Sequence, residues 1–356
     1  MSTSFEIGPI RPPSEGGHAS LLLRITRNCP WSRCHFCYGT LYGRQKFALR
    51  TLDEVKQDID TVKRIADTVR QVSWGLGRGG RADRETLAAI IRSNPGLRED
   101  QCFVTVFNWL YSGGRTVFLQ DADSLVMKTP QMVDILTYLK AAFPDVQRIT
   151  TYARAKTLYR KSLDELKGLR AAGLTRLHVG LETGDEELLG LVDKGVTVAE
   201  HIAAGQKVKE AGFELSEYFM PDLGGRARWQ QHARGTARLV NAIGPDYLRS
   251  RPFIPRKGTP LWDEYLDGRY QLSTAHERLA ELKLMVSELN ASTRLCFDHF
   301  ANSWRDKDGG FLFRQDYEGY QFPEEKPLAL DLIEQGLAAP ESQHLQPVQM
   351  VGLDRM

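Results

Sequence analysis

Long hydrophobic runs are missing from this 356-residue chain. Leu21-Leu22-Leu23 is the longest early one, and a bilayer span needs about 20 apolar residues. The N-terminus, Met1-Ser2-Thr3-Ser4-Phe5-Glu6, has neither a basic start nor an apolar core, so no secretory signal is expected. An excess of one charge is missing too. Lys and Arg total 47 against 45 for Asp and Glu, a net charge of +2. That balance requires neither a nucleic acid nor a membrane as partner. Arg226 to Arg238 is a local basic stretch, which reads as a solvated helix face. Low-complexity tracts are absent. The glycine run Gly75 to Gly80 lacks the lysine and Ser/Thr of a phosphate loop and reads as a turn. Together these absences predict a cytoplasmic protein.

Cysteine is scarce, with five residues in all, yet Cys29, Cys34 and Cys37 fall within one loop. Clustered thiols in a reducing compartment point to a metal or an iron–sulfur centre rather than to disulfides. Cys102 and Cys296 stand alone and read as buried thiols. One alternative for the cluster is a structural zinc ion with His35 as fourth ligand. The other is a [4Fe–4S] cluster, which normally takes four thiolates. Three thiolates would leave one iron open to an amine and a carboxylate. S-adenosylmethionine offers both.

The rest of the chain alternates strands with helices. Residues 1–18 are polar and rich in Pro and Gly, an arm leading to a first strand at Ser20 to Thr26. Thr51 and Glu54 predict a capping box before a helix whose face is Leu52, Val55, Ile59, Val62 and Ala66. Further strands are expected at 115–119, 147–151, 174–181, 213–220 and 247–253. Helices are expected between them, one opened by Thr197 and Glu200. This grammar predicts an α/β fold with a parallel sheet, a partial (β/α)6 barrel of the TIM type. The barrel is expected over residues 19–262, with a helical insertion at about 70–112. Residues 263–356 read as a helical and loop-rich extension. In it, Gly309 to Tyr320 fits a lid, a hairpin or core packing under a loop.

The cysteine loop, placed at the end of the first strand, resembles that of the radical SAM superfamily. Its first spacing, Pro30-Trp31-Ser32-Arg33, is one residue longer than the commonest in the family. The branch resembled is that of oxygen-independent coproporphyrinogen dehydrogenases, methylthiotransferases and the elongator-type enzymes. The resemblance implies that Cys29, Cys34 and Cys37 bind a [4Fe–4S] cluster. Phe36 matches the aromatic position before the last cysteine and, with Tyr38, is expected against the cofactor. Gln120, Asp121 and Asp123 end the second strand, where the family contacts the methionyl amino group; here acids replace glycines. Arg154 ends the third strand, facing the carboxylate. Gly180-Leu181-Glu182 resembles a segment that reaches the ribose or carboxylate. Arg251 to Pro255 resembles the strand end near adenine.

The resemblance implies an enzyme that cleaves S-adenosylmethionine reductively and abstracts hydrogen from an unidentified small molecule. An external one-electron donor of the flavodoxin or ferredoxin type would serve it. The alternatives are a modifier of tRNA or another macromolecule, and a structural zinc or non-catalytic iron–sulfur protein. Asp298 and His299 could line the substrate side. His178, on a strand, reads as a core histidine.

Overall fold

The computed structural model describes residues 3–15 and 19–351. Strand β1 (Ser20–Arg24) is followed by a short antiparallel ribbon of β2 (Thr26–Arg27) and β3 (Ala48–Leu49). The cysteine loop lies between the ribbon strands in sequence. Helix α1 (Leu52–Gly75) opens on the expected capping box: the Thr51 hydroxyl accepts from the Glu54 N–H, and the Glu54 carboxylate accepts from the Thr51 N–H. Its buried stripe includes Val55, Ile59, Val62, Ala66 and Val69. The glycine run is the turn that leaves α1. The insertion holds α2 (Arg84–Ser93) and α3 (Gln101–Tyr111), capped by Asp83 and Asp100.

The alternation follows as β4 (Thr116–Gln120), α4 (Thr129–Ala142) and β5 (Arg148–Ala153). Two helices, α5 (Ala155–Arg160) and α6 (Leu163–Ala171), precede β6 (Arg176–Glu182). Two more, α7 (Glu186–Leu191) and α8 (Val198–Glu210), precede β7 (Glu214–Phe219). Next come α9 (Gly225–Ile243), β8 (Tyr247–Ser250), α10 (Pro260–Leu266) and α11 (Ala275–Glu288). The chain continues through β9 (Arg294–Cys296), β10 (Tyr320–Gln321) and α12 (Lys326–Ala338). The fold class is the expected one, α/β with the parallel strand order of a partial barrel.

The described residues fall into two compact units. The first takes them from 1–30, 46–152 and 164–176. In it β1 pairs with β4, and β4 with β5, all in parallel, with Leu22 opposite Phe118 and Phe118 opposite Thr150. Leu21, Leu22 and Leu23 are buried, as befits a strand covered on both faces. The N-terminal segment packs into this unit. Phe5 is buried, its carbonyl accepts from the half-buried Cys102 thiol at 3.3 Å, and buried Glu15 pairs with Arg148 and Arg176.

The second unit takes residues 31–45, 153–163 and 177–356. Its strands run in the order β6, β7, β8, β9, β10. β7–β8 and β8–β9 are parallel, and β10 is antiparallel at the edge. Strand β9 is thus a parallel strand beyond the six expected; three residues are too few to show a period. The stretch after Gly309 is core packing. Phe313 stacks on Phe297 at 4.0 Å between ring centres and meets Trp304 and Tyr320 edge-on. The Arg-rich stretch is a paired face of α9, with Arg226 to Glu277, Arg228 to Asp185 and Arg234 to Glu288. Among the described residues, no helix is long and apolar enough to cross a membrane.

Candidate functional site

In the second unit the cysteine loop is fastened to the turn that follows α7. The His35 N–H donates to the Val192 carbonyl at 2.9 Å. The Trp31 indole N–H donates to the Asp193 carbonyl at 2.6 Å, and Arg33 pairs with the Asp193 carboxylate at 2.9 Å. Two guanidinium groups lie over the Trp31 ring, Arg33 at 4.8 Å and Arg154 at 4.9 Å. A Cβ at Gly195, where φ is +72°, would stand 2.5 Å from that ring, so the turn needs glycine there on both counts. The longer spacing between Cys29 and Cys34 thus houses an aromatic anchor.

The segment from Cys34 to Tyr38 is a tight turn. The N–H groups of Cys37 and Tyr38 both donate to the Cys34 carbonyl, at 3.0 and 2.7 Å. Cys29, Cys34 and Cys37 are each half-exposed, and none is in a disulfide. Phe36 packs on the apolar cluster of Leu188, Val192, Leu223 and Phe253. Tyr38 is exposed, with the Arg44 guanidinium over its ring.

Lys194, which no motif marks, lies at the centre of this region. It is buried and pairs with the Glu182 carboxylate at 2.5 Å. Its ammonium also faces the Phe36 ring at 5.5 Å. Burial works against its charge, but Glu182 and then Cys34 outweigh it and hold the ammonium above its ordinary range. Glu182 itself has φ +61° at the end of β6, a left-handed conformation rare for a residue with a side chain. A Cβ at Gly180 would stand 2.1 Å from the Glu182 carboxylate. The Gly-Leu-Glu pattern therefore makes room for the Glu182–Lys194 pair. Arg154 donates to the Lys194 carbonyl at 2.7 Å besides covering Trp31.

Just past the ends of β6, β7 and β8 lies a buried polar network. The Met220 N–H donates to the Glu182 carbonyl and the Arg251 N–H to the Phe219 carbonyl, so the three strand ends lie side by side. His232 sits between the Thr183 hydroxyl at 2.7 Å and the Met220 carbonyl at 3.0 Å. Arg278, fully buried, donates to Asp222 at 2.9 Å and to the Phe253 carbonyl at 2.6 Å. The Asp222 N–H donates to Glu281 at 3.0 Å. Burial pushes the Glu281 carboxyl well up and the His232 imidazole down to about 4, which favours a neutral pair.

In the first unit the second-strand residues are engaged by the N-terminal segment. The Gln120 amide accepts from the Gly8 N–H at 2.8 Å and donates to the carbonyls of Gly8 and Ile10. The buried Asp121 carboxylate accepts from Arg24 at 2.6 and 2.8 Å and from the Asn28 N–H at 2.9 Å. Burial raises its pKa against the pull of Asn28 and Arg24. Asp121 thus holds the residue before Cys29. Asp123 is buried before a short 3-10 turn, Ser124–Val126, and its carbonyl accepts from the Val126 N–H.

Cys34 and Cys37 of the second unit and Cys29 of the first are each accessible, and thiolates are the ligands that an iron–sulfur cluster takes. A cluster places each thiolate on a different iron, so the sulfurs need not converge on a point. Among the described residues, no three His, Cys, Asp or Glu side chains gather as the ligands of one metal ion would.

The family model of the radical SAM superfamily matches residues 23–227, more than half of the chain, and the chain belongs to that superfamily. It is a radical SAM enzyme, and its cofactors are a [4Fe–4S] cluster and S-adenosylmethionine. It is 27% identical over 108 residues to a tRNA uridine(34) acetyltransferase of Methanocaldococcus jannaschii, covering 30% of this chain and 20% of that one. It is 26% identical over 164 residues to the tRNA-2-methylthio-N(6)-dimethylallyladenosine synthase of Leptothrix cholodnii, covering 45% and 34%. The chain therefore spans about a fifth to a third of the length of these relatives. Among solved structures, coproporphyrinogen III oxidase from Escherichia coli aligns over 75% of this chain and 51% of its own at 17% identity, with a TM-score of 0.44.

Proposed function

We propose that the enzyme acts on a small molecule. One electron, from a flavodoxin or ferredoxin, would break a carbon–sulfur bond of S-adenosylmethionine, giving methionine and a 5′-deoxyadenosyl radical that takes a hydrogen atom from the substrate. The observation that carries this reading is the set of three disulfide-free, half-exposed thiols within the family-matched stretch. Cys29, Cys34 and Cys37 would hold the cluster, with Phe36 and Tyr38 beside it. Glu182 would hold the cosubstrate while Lys194 balances the local charge. Arg154 would face the cosubstrate carboxylate. For Gln120, Asp121 and Asp123 the proposal is a contact to the amino end. The hold of Asp121 on Asn28 supports a positioning part for that residue.

The test is anaerobic reconstitution with iron and sulfide, then S-adenosylmethionine and dithionite. Equal amounts of 5′-deoxyadenosine and methionine are expected by mass spectrometry. Full iron and sulfide without either product would sink the reading. A second reading, tRNA modification, is favoured by the names of the two relatives. Nucleoside analysis of bulk tRNA after the same incubation separates them: a new modified nucleoside would favour the second.

A further inference from the structure

A charged cluster in the second unit takes no part in the site above. Arg249 of β8 and Arg251 just past it project to one side of the sheet, two residues apart. The Asp298 carboxylate lies between them, 3.3 Å from each guanidinium. Arg249 is 1% exposed. Its Nε donates to the Ser216 hydroxyl at 3.0 Å, and its Nη1 is the atom that faces Asp298. Arg251 keeps 15% of its side chain exposed and lies on the Tyr218 ring at 4.7 Å.

Cys296 and His299, beside the cluster, add no second negative charge, and the Glu318 carboxylate nearby is paired with Arg294. Burial pushes the Cys296 thiol up to about 12. Burial, then Arg251, holds the His299 imidazole down at about 3. Burial works against the Asp298 charge, but Arg251 and Arg249 keep its carboxyl below its usual range. Two permanent cations therefore share one carboxylate. A buried charge is costly unless it is fully compensated.

We propose that Arg249 and Arg251 receive an anionic oxygen group of the substrate, a carboxylate or a phosphate. Arginine suits either through its planar fork of donors. Arg251 lies on the same edge of the sheet as Glu182, through the Met220 and Arg251 backbone bonds described above. The group would thus enter from the strand ends and displace part of the hold on Asp298. This deepens, and rests on, the reading of the protein as an enzyme for a small molecule.

The test is calorimetric titration of the full-length, cluster-reconstituted protein without reductant. The probes are inorganic phosphate and succinate, at ionic strength fixed with chloride. At least one probe should bind. Arg251→Gln should weaken it about tenfold or more, the loss of a charge-assisted contact. Asp298→Asn removes the competing carboxylate and should tighten binding, an effect that an internal salt bridge of purely structural value would not give. Binding of phosphate alone would assign a phosphate group, and of succinate alone a carboxylate. No binding to either the parent or Asp298→Asn would overturn the proposal, as would equal affinities in Arg251→Gln. Displacement of the probe by saturating S-adenosylmethionine would overturn it too, by assigning the arginines to the cosubstrate. No reductant is present, so these outcomes are independent of whether the cosubstrate is cleaved.

Discussion

At the scale of single residues, the buried pair of Lys194 and Glu182 organises the region around Cys34 and Phe36. Glu182→Ala should weaken S-adenosylmethionine binding by about ten- to a hundredfold, the loss of one charge-assisted contact worth about 1.5–3 kcal/mol. The absorption of the cluster should persist. Anaerobic calorimetry reads both, and unchanged affinity would assign Glu182 to structure alone. Cys34→Ala should lose iron and sulfide, whereas Cys296→Ala should keep both, because Cys296 is a buried thiol on β9; elemental analysis decides. The three cysteines were legible because their chemistry is written in spacing. Lys194 was not, because its partner is twelve residues away and the two meet only through the turn after α7. The longer spacing that holds Trp31 was visible, but the role of Trp31 needed Asp193 and Gly195 in place.

At the scale of elements, the capping boxes were the most legible features. Those expected for α1 and α8 form, at Thr51 and Thr197, and the structure adds one at Thr274 of α11. Thr51→Ala should cost about 1 kcal/mol in chemical denaturation, the usual value of an N-cap hydroxyl. The same box sets an acid limit. The Thr51 N–H, then Arg27, holds the Glu54 carboxyl at about 2, below its unfolded value of 4.5. The stability it lends is therefore present above the unfolded value and lost as pH falls from 4.5 towards 2. The short elements were illegible for a simple reason. Helices α5 and α7 have six residues each and β9 has three, too few to display a period. The burial of Gln120 and Asp121 under the N-terminal segment was also unreadable, because Gly8 and Ile10 carry no pattern that points to a strand about 110 residues away.

At the scale of the whole molecule, stability rests on polar groups as well as apolar ones. Arg278→Met leaves the buried Asp222 without its cation and should cost about 3–5 kcal/mol, measurable as a lower denaturant midpoint. His232 sets a second pH dependence. Its imidazole is held down at about 4 by burial, against 6.5 unfolded. Its contribution is fully present above 6.5 and is lost as pH falls towards 4, a decline of about 3 kcal/mol in all. The raised Glu281 carboxyl has the opposite slope, so the test is the difference: as pH falls from 6.5 towards 4 the parent should lose stability relative to His232→Gln, and equal slopes would show that another group titrates.

The seat of Trp31 has an optical consequence. An indole covered by Arg33 and Arg154, with its N–H on the Asp193 carbonyl, is a fluorophore built into the loop that carries two of the three thiols. An iron–sulfur centre absorbs where tryptophan emits. The difference in emission between the parent and Trp31→Phe should therefore dim as the cluster is assembled and brighten as oxygen destroys it. Cofactor loading would then be readable in a cuvette, without reference to any substrate.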